Sequence, residues 1–189
     1  MKASIVLMFA CGLLIVSCQE KKEKEKIVDI SKENFKKSEY FNEDRIKDDK
    51  YNVKFKGDEL SFGELELYYS YNHSRNEELL PYTLIMVEKY KKYKYCTTVF
   101  NNLIEFYTEQ ELQYDGTSKS LIVYLNNFKK LNEDQKRYLL YFLKLGATHN
   151  DYGSINYMEL LNREGIGVDV NLKKADSLKN VLITLKNRC

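Results

Sequence analysis

From residue 59 onward, apolar residues recur at intervals of three and four through most of the chain. That spacing gathers them on one face of a helix. Leu65, Tyr68 and Tyr69, with Leu60 or Ser61, predict a helix over 59–72. Leu80, Leu84 and Val87 predict a second, over 78–89, because Pro81 is tolerated only in a first turn. Ser74 with Glu77 three residues on reads as a capping box ahead of it. Cys96, Phe100, Leu103 and Tyr107 predict a third helix over 95–109. The turn 114–117 then places Thr117 as the cap of a helix over 118–129, with Leu121, Leu125 and Phe128 inward. Asn132 caps the next helix, whose stripe is Tyr138, Leu139, Phe142, Leu143 and Leu145, with Gly146 as its stop. Asp151 opens a helix through Ser154, Ile155, Met158 and Leu161. After the turn 165–167, Asn171 caps a last helix with Leu172, Ala175, Leu178, Leu182 and Leu185 on one side.

Upstream the pattern changes. Tyr51, Val53 and Phe55 alternate, which predicts a short extended piece, and Gly57-Asp58 ends it, with Asp58 capping the helix over 59–72. Residues 27–50 are charged with sparse apolar positions, and Ser31 is placed to cap a short helix over Phe35 and Tyr40. Residues 19–26, QEKKEKEK, hold no apolar residue and read as a solvated tether of alternating sign. Lys2 and the apolar run of residues 3–17 have the charge order of a secretory signal and fall short of the roughly 20 residues of a membrane span.

Composition supports helices. The 189 residues allow one domain, and a single Pro with 8 Gly argues against a many-stranded sheet. A net charge of +2 carries no large field to recruit nucleic acid. The 16 Tyr and 9 Phe suit half-buried faces of a thin helical stack.

Two stretches resemble known families. Leu14-Ile15-Val16-Ser17-Cys18 resembles the bacterial lipobox. That resemblance implies cleavage before Cys18 and acylation of its thiol and new amino terminus, as with palmitate. Cys11 follows too short an apolar run to compete. The mixed-charge run after Cys18 favours a periplasm-facing protein over a surface one. Cys96 and Cys189 then remain; a disulfide between them and a buried Cys96 with a frayed Cys189 are both open.

The second stretch is Gly165-Ile166-Gly167-Val168, then Asn171, then Lys174-Ala175. It resembles the joint of a Sel1-like repeat, a relative of the tetratricopeptide repeats. Ser154 and Met158 stand at the family's small and leucine positions, whereas position 162, where the family has an aromatic, is Asn. Cys96 and Phe100 stand where the tetratricopeptide pattern has a small residue and an aromatic. The resemblance implies an all-α fold of stacked antiparallel α-hairpins, a Sel1/TPR-like solenoid, that binds other proteins.

Motifs of catalysis are sparse. His73 has no neighbouring ligand, and His149 with Asp151 is two short of a zinc set. Tyr152-Gly153-Ser154 lacks the strand of a nucleophile elbow, and no phosphate loop or dinucleotide fingerprint occurs. Glu77-Glu78 and Glu109-Glu111 are surface acids, not a pair facing across a cleft. Residues 89–95, KYKKYKY, interleave cations and rings. They suit stacking on sugars, bases or anionic headgroups. They suit better a helix end with favourable lysines, whose tyrosines lie on the neighbouring hairpin.

The expectation is therefore a lipoprotein with three parts. Residues 1–17 form a signal peptide, 18–57 the lipidated Cys18, tether and an ill-defined segment, and 58–189 a helical repeat domain. It is expected to bind an unidentified protein partner without catalysis, cofactor, metal or nucleic acid, anchored to a membrane of the envelope by its lipid. Tyr68, Tyr69, Tyr71, Tyr107 and Tyr157 are the candidates for the binding face. An immunity-type inhibitor of a toxin and, behind it, a cell-wall or glycan hydrolase are the alternatives.

Overall fold

The computed structural model describes residues 34, 42–71 and 77–187. Outside them lie Cys11, Cys18, the tether, the helix expected over Phe35 and Tyr40, Ser74 of the expected capping box, His73 and Cys189. Contacts divide the chain into Met1–Ile46 and Lys47–Cys189, and the helix packing belongs to the second unit.

The fold is all-α: among the described residues every regular element is helical. Helix α1 is Glu43–Lys56, where an extended piece was expected over Tyr51, Val53 and Phe55. Tyr51 and Phe55 are exposed while Val53, with Asp49 four residues before it, is buried. A strand would have put 51, 53 and 55 on one side; burial at intervals of four is the helical period. Gly57 ends α1, and Asp58 caps α2 (Glu59–Tyr71) by accepting from the Ser61 N–H at 2.8 Å.

The expected helix over 78–89 is built in three pitches. A 3₁₀ turn at 77–79 leads into α3 (Leu80–Leu84), which widens into a π-helical turn, Ile85–Lys89. Pro81 sits in the first turn of α3, as its missing N–H requires. The wide turn closes with the Tyr90 N–H on the Ile85 carbonyl at 3.2 Å and the Lys92 N–H on that of Met86 at 2.9 Å. Helix α4 is Cys96–Thr108. Helix α5 is Ser118–Leu125, capped by Thr117 and prolonged by a 3₁₀ turn, Asn126–Lys130.

Helix α6 is Glu133–Thr148 and opens with a capping box between Asn132 and Gln135. Gly146 does not stop it. The helix runs on for two residues, and Gly146 is buried inside it. Its role is close approach: a Cβ there would stand 2.7 Å from the Cβ of Cys96 and also meet the Ser154 hydroxyl. Asn150, at φ 62°, makes the turn instead, and the Asp151 N–H returns to the Gly146 carbonyl at 2.9 Å. Asp151 and Asn171 cap α7 (Tyr152–Glu164) and α8 (Leu172–Lys186).

Helix α4 packs on α6, α6 on α7, and α7 on α8, while α5 lies against α7. Short connections make α6–α7 and α7–α8 antiparallel hairpins. At the centre of the core the Phe100 ring meets Phe128 at 5.8 Å and the edge of Tyr157 at 5.5 Å. A buried Phe or Tyr ring removes a large apolar area from water, so these three anchor the stack.

Candidate functional site

The expected binding tyrosines divide. Tyr68, Tyr69 and Tyr157 are core residues, so they do not line an exposed face. Tyr69 donates its hydroxyl to Glu78 at 3.0 Å, its ring meeting the edge of Tyr68 at 5.1 Å. The packing needed rings at those positions, and the hydroxyl of the buried Tyr69 reaches a partly exposed carboxylate. Tyr71 and Tyr107 remain exposed, at 41% and 36%.

The lysine-tyrosine stretch is also largely used up by packing. Tyr93 stacks on His149 at 3.8 Å between ring centres, and Tyr95 packs on Phe62 at 4.5 Å. Lys92 and Lys94 both reach Glu59, at 2.9 and 2.5 Å. The second reading of the stretch, tyrosines laid on neighbouring elements, is the observed one.

The joint of α4, α6 and α7 is a small polar knot. Asp151 accepts from the hydroxyls of Thr97 at 2.6 Å and Ser154 at 2.5 Å, and from the Ser154 N–H at 3.2 Å. Cys96 lies buried beside it as a free thiol, its pKa pushed up to about 12 by burial first and the Asp151 charge second. Such a thiol is no nucleophile. Ser154 is wholly enclosed, which suits packing and not hydrolysis.

The glycine turn joins α7 to α8. Gly165 (φ 62°) ends α7, and the Phe128 ring lies against Gly167 (φ 65°), where a Cβ would stand 2.7 Å from Cε1. Val168 is half-buried. Asn162, at the position of the family's aromatic, is buried; it donates to the Met158 carbonyl at 2.6 Å and its own carbonyl takes the Asn171 N–H at 2.8 Å. Lys174 gives its N–H to the Asn171 cap, and Ala175 is fully buried on α8. Among the described residues no group of His, Cys, Asp and Glu is arranged to hold a metal.

A groove of about 410 Å³ lies between α5, α7 and α8. Ile122, Leu160, Leu182 and Ile183 line it with apolar surface, and Lys179 and Lys186 stand on the α8 side. On α7, Arg163 bridges Glu159 at 2.5 Å and Asp176 of α8 at 2.8 Å, fixing the angle between the hairpin's two arms. Glu159 is buried, and Arg163 is its counter-ion. Sequence reading missed this groove. Ile183 falls outside the inner stripe Leu178, Leu182, Leu185, and that stray apolar position was the available signal.

No protein-family model and no solved structure matches the chain. The chain is similar to the periplasmic chaperone PpiD of Buchnera aphidicola subsp. Schizaphis graminum, at 31% identity over 61% of this chain and 20% of that protein. The match thus spans a fifth of the relative's length. No described helix is long and apolar enough to cross a membrane.

Proposed function

We propose that this protein is an envelope lipoprotein, anchored through Cys18, whose helical domain binds other proteins without catalysis. The carrying observation is the α5–α7–α8 groove. It offers apolar side chains with lysines at the rim, and Ile183 is left 52% exposed on the last helix. In stacked hairpins each unit covers the apolar face of the one before it, so an uncovered face on the last helix offers a seat to another segment. The Sel1-like turn Gly165–Ala175 supports the same reading. So does the similarity to a periplasmic chaperone, which favours clients that are themselves envelope proteins.

The anchor and the groove are tested separately. Metabolic labelling with a palmitate analogue is expected to mark the full chain and to fail on Cys18→Ala; label retained on that variant overturns the anchor. For the groove, a photo-crosslinking amino acid replaces Ile183 in the full chain expressed in envelope-bearing cells, with Glu133 on α6 as the exposed control. Discrete protein adducts at 183 and none at 133 are expected. Equal adducts at both positions, or none at 183, overturn the groove. A single stoichiometric adduct with a toxin would move the reading to an immunity-type inhibitor.

A further inference from the structure

We propose that the exposed face of α1 around Tyr51 and Phe55 is a contact for an anionic lipid surface. The two rings sit 4.8 Å apart, and each residue is 55% exposed. Three ammonium groups surround them. Lys54 lies 5.2 Å from the Phe55 ring, Lys56 5.8 Å from that of Tyr51, and Lys89 5.9 Å from Phe55. Lys89 comes from the π-helical turn and is held there: it donates to the Lys54 carbonyl at 2.9 Å, which also accepts the Tyr90 hydroxyl at 3.1 Å.

The neighbouring lysines behave differently. Lys50 pairs with Glu78, and Lys92 and Lys94 pair with Glu59. Lys54, Lys56 and Lys89 form no ion pair among the described residues; their contacts are with rings, Asn52 and a carbonyl. Two carboxylates stand nearby: Asp58, which caps α2, feels the charge of Lys56, and Asp48 lies one turn before Tyr51 on the same face of α1, but neither forms an ion pair with these three lysines. The result is a pair of projecting rings among three ammonium groups that are held in no ion pair among the described residues.

That combination fits a lipid headgroup layer, where rings settle at the apolar boundary and lysines keep their charge among the phosphates. A nucleic-acid strand is served better by a groove that tracks its backbone, and here two exposed rings project from the surface of α1. The face also lies about thirty residues along the chain from Cys18. At up to roughly 3.5 Å per extended residue, that length reaches the surface holding the anchor. The proposal uses the anchored reading only for this proximity.

The test is sedimentation of residues 19–189, which keep every described residue and lack Cys18, with vesicles of phosphatidylglycerol or of phosphatidylcholine alone. Binding to the phosphatidylglycerol vesicles only, lost at high salt, is expected. Tyr51→Ser with Phe55→Ser is expected to abolish it without changing the helical circular dichroism, since both rings are half outside the fold. Lys54→Gln and Lys89→Gln are each expected to weaken it by about fivefold. Three outcomes overturn the proposal: no binding to anionic vesicles, binding unchanged in the ring variant, or a single-stranded oligonucleotide that binds as tightly and displaces the vesicles. Because the probe cannot be acylated at Cys18, failure here leaves the palmitate result untouched, and failure of the palmitate label leaves this result untouched.

Discussion

Cys96 shows how one residue's chemistry is set by what surrounds it. A free thiol ordinarily loses its proton near 8.5 and is then open to alkylation. Here burial and the Asp151 carboxylate push its pKa up to about 12. In residues 19–189 carrying Cys189→Ser, iodoacetamide at mildly alkaline pH is expected to leave Cys96 unmodified in the folded protein. Reaction is expected only through the unfolding transition in urea, read by intact mass. Rapid modification of the folded chain would mean that the α4–α6–α7 joint opens readily. Gly146 belongs to the same joint. It was legible as a helix stop only because glycine commonly ends helices; its actual duty, admitting Cys96 and Ser154, involves positions a single-residue propensity does not contain.

At the scale of the element, the helix starts were the most legible feature. Asp58, Thr117, Asn132 and Asn171 were each expected to cap and Asp151 to open a helix, and each of the five accepts a backbone N–H three residues ahead. A cap is a local contract between neighbours, so the sequence displays it. The caps differ in weight. Asn132 is exposed and holds only its own helix, so Asn132→Ala is expected to cost about 1 kcal/mol. Asp151 also holds the hydroxyls of Thr97 on α4 and Ser154 on α7. Asp151→Ala is expected to cost more, about 2–3 kcal/mol, because it combines a lost cap with two hydroxyls left to satisfy each other. Urea midpoints with unchanged slopes would measure both. Equal losses would show that the Thr97 link adds nothing.

For the molecule as a whole, the joint between α2 and α4 makes stability depend on pH. Glu66 of α2 accepts from Thr98 of α4 at 3.3 Å. Burial raises its pKa above the ordinary carboxyl value, outweighing the lowering by Thr98 and Lys94. The folded state therefore holds this proton more tightly than the unfolded chain. Its contribution to stability is full below the unfolded carboxyl's pKa and is lost as pH rises through the raised one. Glu66→Gln keeps the bond from Thr98 and has nothing to ionise. Its stability is expected to gain on the wild type as pH rises out of the ordinary carboxyl range, and to level off once the wild-type Glu66 is fully ionised. A constant difference across that range would show that Glu66 does not sense its burial.

By itself the sequence determined roughly where the helices after residue 58 run, the caps of five of them and where the last hairpin turns. Those features depend on contacts three or four residues apart, and such contacts are written in order along the chain. Tertiary structure decided the rest. Tyr68, Tyr69 and Tyr157 went inside while Tyr51 and Phe55 stayed out, although all five are aromatic residues within an amphipathic pattern. An alternating triplet, Tyr51, Val53 and Phe55, became a helix because Val53 buries alone. The second half of the lysine-tyrosine stretch, residues 92–95, was taken up by Glu59, Phe62 and His149. The groove beside Ile183 exists only where α5, α7 and α8 meet. Burial is decided by partners tens of residues distant, and no local period of the sequence encodes which partner arrives.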